Sequence, residues 1–270
     1  MQPSIASVIR SFALPVYVPS FLSAVAQNAV QILLPLYALK VGGGPAMAAA
    51  MVGLRGAGTM LSDVPAGLLV ARLGDKGVMV IGLAVLIATG IGCAMTQSAW
   101  VLAFLALGFG AGLGLWLLSR LTFITDNVRL DQRGRVISVM AGLQRAGALI
   151  GPVIAGFGAE IYGYGPVFAL AGILFAVALV TILLFAQAGK PSFEQHGPIH
   201  LRQVIAAHRE TFATAGTVMI MLSVLRHARI LVIPLVGVGI GLDESDIGLA
   251  FSLSSAVDMM MFYPAGQILD

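Results

Sequence analysis

Polar side chains interrupt several long apolar stretches of this chain, and their chemistry suits the binding of a polar solute. The first stretch contains Gln27, Asn28 and Gln31, and the i, i+4 spacing places the two glutamines on one helix face. Amides, guanidinium groups and imidazoles offer several hydrogen-bond donors to a ligand. We therefore predict a polar, basic cavity that favours an anionic or amphipathic solute over a cationic one, lined by Gln27, Asn28, Gln31, Arg120, Arg226 and His227.

Three further ionisable residues within apolar stretches are candidates for proton or charge coupling: Arg55, Asp63 and Asp258. A carboxylate in apolar surroundings can exchange a proton near neutral pH, and such groups cluster at functional sites. The alternative for Asp63 is a structural ion pair with Arg55, two helical turns earlier. Each predicted cavity residue has a similar alternative, a structural hydrogen bond between helices.

The composition identifies the elements that must position these groups as membrane-spanning helices. The 270 residues are 59% hydrophobic and only 10% charged, with a mean hydropathy of +0.97. A soluble domain has about 25% charged residues. Apolar stretches of about 20 residues cross a bilayer as helices. We predict an all-α polytopic membrane protein, in which the single cysteine excludes an intrachain disulfide and no nucleic acid, metal or cofactor is expected.

Eight helical spans and one long polar segment define the predicted organisation. Residues 1–187 form an N-terminal six-helix bundle, 188–211 a cytoplasmic linker and 212–270 two further helices. Spans 3 and 6 contain no charged residue, so we expect them to face lipid. The predicted spans are 16–39, 46–71, 77–98, 100–123, 136–160, 165–187, 212–238 and 246–269.

The distribution of lysine and arginine predicts the orientation. With the N-terminus inside, Lys40 is the only basic residue of the outside segments, and the last outside loop is acidic. Basic residues favour the cytoplasmic side. Both ends of the chain are therefore expected in the cytoplasm, and the protein in the plasma (inner) membrane. The inside segments contain Arg10, Arg72, Lys76, Arg129, Arg133, Arg135, Lys190, Arg202 and Arg209.

An internal repeat relates the last two spans to the first two. A shift of 199 positions aligns Pro35 with Pro234 and residues 65–67, Pro-Ala-Gly, with the same triplet at 264–266. Membrane transporters commonly contain such repeats. We therefore expect spans 7 and 8 to begin a second bundle, and the chain to be a C-terminally truncated fragment of a longer protein.

The turn between spans 2 and 3 contains glycines and charges at regular positions: Gly67, Arg72, Gly74, Asp75 and Lys76. This pattern resembles the loop 2–3 motif of the major facilitator superfamily. Ala71 occupies the position of the motif's aspartate, and Asp75 that of a basic residue, so the charge lock that the resemblance implies must be altered. A pair of Lys76 or Arg72 with Asp126 is one possibility. A second copy, Gly266-x-x-x-Asp270, keeps the aspartate.

Span 5 contains Gly147-x-x-x-Gly151-Pro152-x-x-Ala155-Gly156. Small residues at this spacing allow close helix approach, and the proline bends the helix. The pattern is similar to the helix 5 motif of the antiporter branches of the same superfamily, with Ala155 in place of one glycine.

The resemblance to this superfamily implies a secondary active transporter that moves a small solute by alternating access, with helices 1, 4 and 7 around the cavity and helices 2, 5 and 8 between the halves. It also implies a monomer when full length. A proton-coupled exporter is our first interpretation. A uniporter or facilitator without proton coupling, and an intramembrane enzyme, are the alternatives, although the sequence contains no metalloprotease or serine-hydrolase motif.

Overall fold

A computed structural model describes residues 13–186 and 209–269, and this part of the chain consists of helices without strands. A π-helical turn, Ala13–Tyr17, precedes α1. A continuous helical stretch, Gly44–Met95, is divided at Gly74 into α2 (44–73) and α3 (75–95). The other helices are α1 Val18–Lys40, α4 Ala99–Asn127, α5 Leu130–Tyr162, α6 Tyr164–Phe185, α7 Arg209–Gly239 and α8 Glu244–Leu269.

Five helical stretches in the described residues are long and apolar enough to cross a membrane. One of them is Gly44–Met95, whose 52 residues are enough for two crossings of about 20 residues each. The five stretches therefore accommodate the first six predicted spans. The helices α7 and α8 occupy the positions of the last two.

Gly74 separates α2 from α3 because its backbone is far from helical, with φ +76° and ψ 166°. A side chain would be strained at this positive φ, which glycine adopts readily. The glycine of the loop motif thus has a defined structural role: it permits the chain to turn where α2 ends.

Contacts with α4 show that α2 and α3 run in opposite directions. Along α2, Arg55 lies beside Gly110 and Ser62 beside Gly114, so residue numbers rise together and the helices are parallel. Along α3, the order is reversed: Gly82 packs near Trp116, and Gly92 near Leu105. The turn at Gly74 therefore reverses the chain completely.

The same reasoning gives the direction of the other helices. The helix α5 is parallel to α1, because Gly147 packs against Ala24 and Gly151 against Val25. The helix α8 is antiparallel to α5, since Gly156 meets Glu244 while Leu149 meets Ser252. The described helices thus alternate in direction, as in a protein that crosses a membrane repeatedly.

This alternation places the connections at two ends of the bundle. The turn at Gly74 and the connection from α4 to α5 share the basic end, which carries Arg72, Lys76, Arg129, Arg133 and Arg135. The opposite end carries Lys40 and the connections from α1 to α2, α5 to α6 and α7 to α8. The charge asymmetry predicted from the sequence is therefore an asymmetry between the two ends of the structure.

The helices of the N-terminal bundle pack around buried aromatic residues and close glycine contacts. Trp116, Phe109, Phe168 and Phe175 are fully buried, and Phe109 meets Phe175 edge to face at 6.0 Å. The helix α6 exposes an apolar face instead, as expected for a helix that faces lipid. That face includes Leu170, Ile173, Val177, Val180 and Leu184.

Candidate functional site

Arg120 on α4 is buried in the N-terminal bundle, with only 4% of its surface exposed. Its two terminal nitrogens each lie 2.9 Å from the side-chain amide of Gln144 on α5. A guanidinium only donates, so the amide turns its oxygen towards Arg120 and accepts both hydrogen bonds. The other side of the Gln144 amide lies 2.8 Å from the amide of Gln27 on α1. The side chains of Arg120, Gln144 and Gln27 thus connect α4, α5 and α1 in that order.

Arg55 on α2 forms a second connection to α1. Its Nη1 donates a hydrogen bond of 2.9 Å to Oε1 of Gln31. Gln27 and Gln31 are one helical turn apart and share a face, as the sequence predicts. Arg55 therefore bonds directly to α1, whereas Arg120 is linked to Gln27, one turn earlier on α1, only through Gln144. We call Gln27, Gln31, Arg55, Arg120 and Gln144 the polar network.

The indole of Trp116 completes the surroundings of Arg120. The guanidinium carbon lies 5.4 Å from the ring centroid, within the range of a cation–π contact. Nε of Arg120 is buried and has no hydrogen-bond partner in the described part of the chain. The guanidinium thus rests on an aromatic face, with one donor left unsatisfied.

The other predicted cavity residues are Asn28 on α1 and two residues on α7. Asn28 donates to the carbonyl of Ala24 within its own helix, at 2.7 Å. His227 lies on the exposed side of α7. Arg226 also belongs to α7, but its side chain is outside the part that the structure describes. Three of the six predicted cavity residues, Gln27, Gln31 and Arg120, thus belong to the polar network, together with Arg55, which was predicted for charge coupling.

The proposed pair between Arg55 and Asp63 is wrong. Arg55 is bonded to Gln31 instead, while Asp63 is exposed and forms no hydrogen bond or ion pair within residues 13–186 and 209–269. Eight residues along a helix span about 12 Å, which is too far for these side chains to meet when Arg55 extends towards α1.

Asp258 on α8 forms an ion pair with Arg229 on α7, at 2.6 Å between Oδ2 and Nη1. The same nitrogen of Arg229 donates to the hydroxyl of Ser254 at 2.9 Å. Asp258 remains 60% exposed. This pair therefore lies between the two helices that follow the linker, apart from the polar network.

The loop motif does not form the suggested pair with Asp126. Lys76 donates to the carbonyl oxygens of Leu183 and Ala186 at the end of α6, at 3.2 and 2.6 Å. Free carbonyls at a helix C-terminus attract a cation, which explains why Lys76 turns away from Asp126. Arg72, Asp126 and Gly67 are exposed.

Asp75 instead acts within the turn. It is 3% exposed, and its Oδ1 accepts a 2.6 Å hydrogen bond from the backbone N–H of Lys76 at the start of α3. Such contacts satisfy the free N–H groups of a helix start. Of the second motif copy, Gly266 lies on α8, with its surroundings outside the described part, and Asp270 is also outside it.

The helix 5 motif packs on two different helices. A Cβ atom at Gly147 would lie 2.5 Å from Cβ of Ala24, and one at Gly151 would lie 2.6 Å from the carbonyl of Val25, both on α1. Gly156 faces α8 instead, where a Cβ would approach the carbonyl of Glu244 at 2.5 Å. The motif therefore brings α5 into close contact with both α1 and α8.

Pro152 and Gly248 extend this contact between α5 and α8. A Cβ atom at Gly248 would lie 2.5 Å from the carbonyl of Pro152. One helical turn further, the hydroxyl of Ser252 donates to the carbonyl of Leu149 at 2.7 Å. The two helices are thus in backbone contact, with no side chain between them at Gly156 and Gly248.

A tyrosine pair lies near the same contact at the opposite end. Tyr164 donates a 3.0 Å hydrogen bond to Oε1 of Glu244, the first residue of α8. Its ring stacks on Tyr37 of α1, with centroids 4.9 Å apart. The opposite end is thus closed by contacts between α1, α6 and α8.

Several of these contacting residues were not among the predicted site residues. Gln144 is noticeable in the sequence as an amide within an apolar span, but its partner Arg120 lies on another helix. Trp116 is four residues before Arg120, a spacing that places both on one helix face. Tyr164 and Glu244 have no sequence signal that would pair them. Within the described residues, no group of three or more histidine, cysteine or carboxylate side chains could hold a metal ion.

These observations describe a multi-pass membrane protein with alternating helices, a polar network inside one bundle and a glycine contact to a second set of helices. The family model described as Major Facilitator Superfamily matches residues 16–270. The chain belongs to this superfamily, whose members are transporters rather than enzymes.

Relatives with curated names are drug-resistance proteins. Over 115 residues the chain is 34% identical to "Multidrug resistance protein MdtG" of Serratia proteamaculans (strain 568). This alignment covers 42% of this chain and 27% of that protein. Over 127 residues it is 33% identical to "Multi-drug resistance efflux pump PmrA" of Streptococcus pneumoniae, covering 46% of this chain and 31% of the pump. The alignments thus cover less than a third of each relative.

Solved structures share the fold at low sequence identity. A D-xylose–proton symporter matches with a TM-score of 0.62 and 15% identity, covering 99% of this chain and 70% of the symporter. A POT family transporter in complex with thioalcohol conjugated peptide matches with a TM-score of 0.61 and 18% identity. The chain spans about half of that transporter, 51% of its length.

Proposed function

We propose that this chain forms part of a secondary active transporter that exports a small solute by alternating access. One observation carries the proposal: the contacts described between the N-terminal bundle and α8 lie in the half of the molecule at the opposite end, away from the basic loops. Halves that touch at one end of a polar path are typical of one state in a rocking cycle.

The polar network supports a path through the bundle. Charged groups inside a membrane protein face the bundle interior or water, and here Arg55 of α2 extends to α1 while Arg120 of α4 extends to Gln144 of α5. With the basic end in the cytoplasm, the contact between α5 and α8 closes the outer side. We propose that this arrangement corresponds to an inward-facing state, and that both chain ends lie on the cytoplasmic side of the plasma (inner) membrane.

The direction and solute class of the proposal rest on likeness to drug-resistance proteins. Both named relatives are drug-resistance proteins by name, and one is called an efflux pump. The helix 5 motif, here in contact with α1 and α8, is similar to that of antiporter branches. We therefore propose export of a drug-sized organic solute, by a monomer whose first bundle is residues 1–187, whose linker is 188–211, and whose second bundle begins at 212–270.

Proton coupling is the finer part of the proposal, and Asp258 and Asp63 are its candidates. Asp258 forms an ion pair with Arg229 at 2.6 Å, so loss of its charge would remove a contact between α7 and α8. Asp63 has no such partner among the described residues. The pair makes Asp258 the stronger candidate. Solute flow without proton coupling is the alternative function.

The experiment is accumulation of radiolabelled benzylpenicillin, a drug-sized carboxylate, in everted membrane vesicles that carry the protein. We expect accumulation driven by an imposed pH gradient, and its loss when nigericin dissipates the gradient. Asp258→Asn is expected to uncouple transport, while Asp243→Asn, in an exposed loop at the opposite end, serves as a control for removal of a carboxylate. Accumulation that is indifferent to the gradient would reject proton coupling. Absence of gradient-driven or downhill benzylpenicillin flux would reject drug export.

A further inference from the structure

We propose that Arg120 and Arg55 form a binding site for an oxyanion, a carboxylate or phosphonate group carried by the transported solute. This inference rests on the proposed transporter function and specifies its substrate class. The observations behind it are burial without a counter-charge, neutral partners that a stronger acceptor can displace, and an unsatisfied donor on Arg120.

The first observation is the absence of a counter-charge. Neither Arg55 nor Arg120 forms an ion pair with a carboxylate in the described residues. Arg229, by contrast, forms an ion pair with Asp258. A buried arginine stays charged, and a charge at bilayer depth is destabilising unless it is paired or hydrated. The buried Arg120 and the partly buried Arg55 leave the polar network with a net positive charge that an anionic ligand would neutralise.

The second observation is the kind of partner that each arginine has. Arg120 is held by the amide oxygen of Gln144 and Arg55 by that of Gln31. Hydrogen bonds from a guanidinium to an ionised oxygen are shorter and stronger than those to a neutral amide. An incoming carboxylate or phosphonate would therefore replace these amide oxygens as the acceptor for the two guanidinium groups.

The third observation is the geometry around Arg120. Nε is buried without a hydrogen-bond partner among the described residues, and the guanidinium lies against the face of Trp116. A guanidinium edge, Nε with the neighbouring terminal nitrogen, suits two-point recognition of a carboxylate or phosphonate. In Arg120, Nε is unsatisfied and the terminal nitrogens become available once the Gln144 amide is displaced. A lysine could not reproduce this fork of donors.

The site is also mechanically connected to the contact between the halves. Gln144 lies on α5, three residues before Gly147 and five before Leu149, whose carbonyl accepts the hydrogen bond from Ser252 of α8. An anion that displaces the Gln144 amide from Arg120 would release α5 from α4 next to this contact. Substrate binding and the opening of α5 from α8 would then favour each other.

The test measures binding through Trp116 in the purified protein. The chain contains two tryptophans, and Trp100 is 78% exposed, so Trp100→Phe leaves the buried Trp116 as the only indole reporter. Benzoate and phenylphosphonate are the anionic probes, and benzylammonium is a cation of similar shape. We expect saturable changes in Trp116 fluorescence with both anions, at least about tenfold tighter than with benzylammonium.

Substitutions then locate the site. Arg120→Gln and Arg55→Gln are each expected to weaken benzoate binding at least about tenfold, equivalent to about 1.4 kcal/mol. Arg120→Lys keeps the charge but not the fork, and is expected to weaken phenylphosphonate binding too. Arg135→Gln removes an exposed charge at the basic end and is expected to change nothing. Circular dichroism verifies that each variant is folded.

The outcomes separate this inference from the proposed function. Equal affinity for benzoate and benzylammonium in the parent protein would overturn the oxyanion site, even if vesicles export benzylpenicillin. Benzoate binding that survives in folded Arg120→Gln and Arg55→Gln would do the same. Anion binding that depends on these arginines, in a protein that moves no benzylpenicillin in vesicles, would support the site and reject drug export.

Discussion

Substitution of Gly248 by alanine should shift the protein away from the state described here. A Cβ atom at this position would lie 2.5 Å from the carbonyl of Pro152 and 3.1 Å from Cα of Gly156, both backbone atoms of α5. Backbone atoms cannot rotate away as a flexible side chain can. The two helices must therefore separate, and the contact at the opposite end must weaken.

The size of the effect follows from the steric term alone. Overpacking by one methyl group typically costs about 1–3 kcal/mol. Alanine also favours a helix over glycine by roughly 1 kcal/mol, but this gain is the same whether or not α5 and α8 touch, so it does not affect their equilibrium. The ratio of touching to separated states should fall about 5- to 150-fold.

Distances between spin labels measure this ratio. Tyr162 and Ile240 are 74% and 69% exposed at the opposite end, so cysteines at these positions accept labels without disturbing the core. The buried Cys93 is replaced by alanine to avoid a third label. We expect a larger fraction of long distances between these two labels in Gly248→Ala than in the parent protein. Gly142→Ala is the matched control, because nothing lies within 4 Å of its Cβ position on α5. Identical distance distributions in parent and Gly248→Ala would refute the reasoning.

Three further predictions concern other contacts. Gly110→Ala should lower the melting temperature relative to Gly142→Ala, because a Cβ at position 110 would collide with the carbonyl of Arg55. Reaction of Cys93 with a thiol-reactive dye on heating measures the melting temperature. Equal melting temperatures would contradict the close packing of α2 on α4. Tyr164→Phe should weaken closure of the opposite end by about 1 kcal/mol, since it loses the bond to Glu244 but keeps the stack on Tyr37; the same labels report it, and an unchanged distribution would show that the bond contributes nothing. Lys76→Met should destabilise the protein by about 1 kcal/mol through the lost bonds to the end of α6, whereas exposed Arg72→Met should not; equal melting of the two variants would remove the role of Lys76.

Most of the fold could be predicted from local sequence properties. The length of each apolar stretch predicts that it crosses the bilayer as a helix. Glycine is the residue expected where the chain reverses, and Gly74, with φ +76°, lies at the reversal between α2 and α3. Glycine spacing in α5 indicates a close helix contact. The excess of lysine and arginine at one end of the bundle follows from the alternation of the helices, which brings alternate connections of the sequence to the same end.

The partners of the polar residues could not be predicted in the same way. Two turns separate Arg55 from Asp63 on one helix, yet Arg55 extends to Gln31 across to α1. Periodicity describes the faces of a single helix, whereas such a partner depends on how two helices rotate and cross. Gln144 illustrates the same limit, because its position between Gln27 and Arg120 requires three helices to be placed at once.

The helix 5 motif has a consequence for the variation that the protein can tolerate. Gly151 packs against α1 and Gly156 against α8, and five residues turn a helix by about 140° beyond one full turn. One inserted or deleted residue between them would rotate the later contact by about 100° and present a side chain to α8. In a library of insertions and deletions, functional clones with a length change between these two glycines should therefore be rare. The number of residues between Gly151 and Gly156 is fixed because α5 must contact α1 and α8 at the same time.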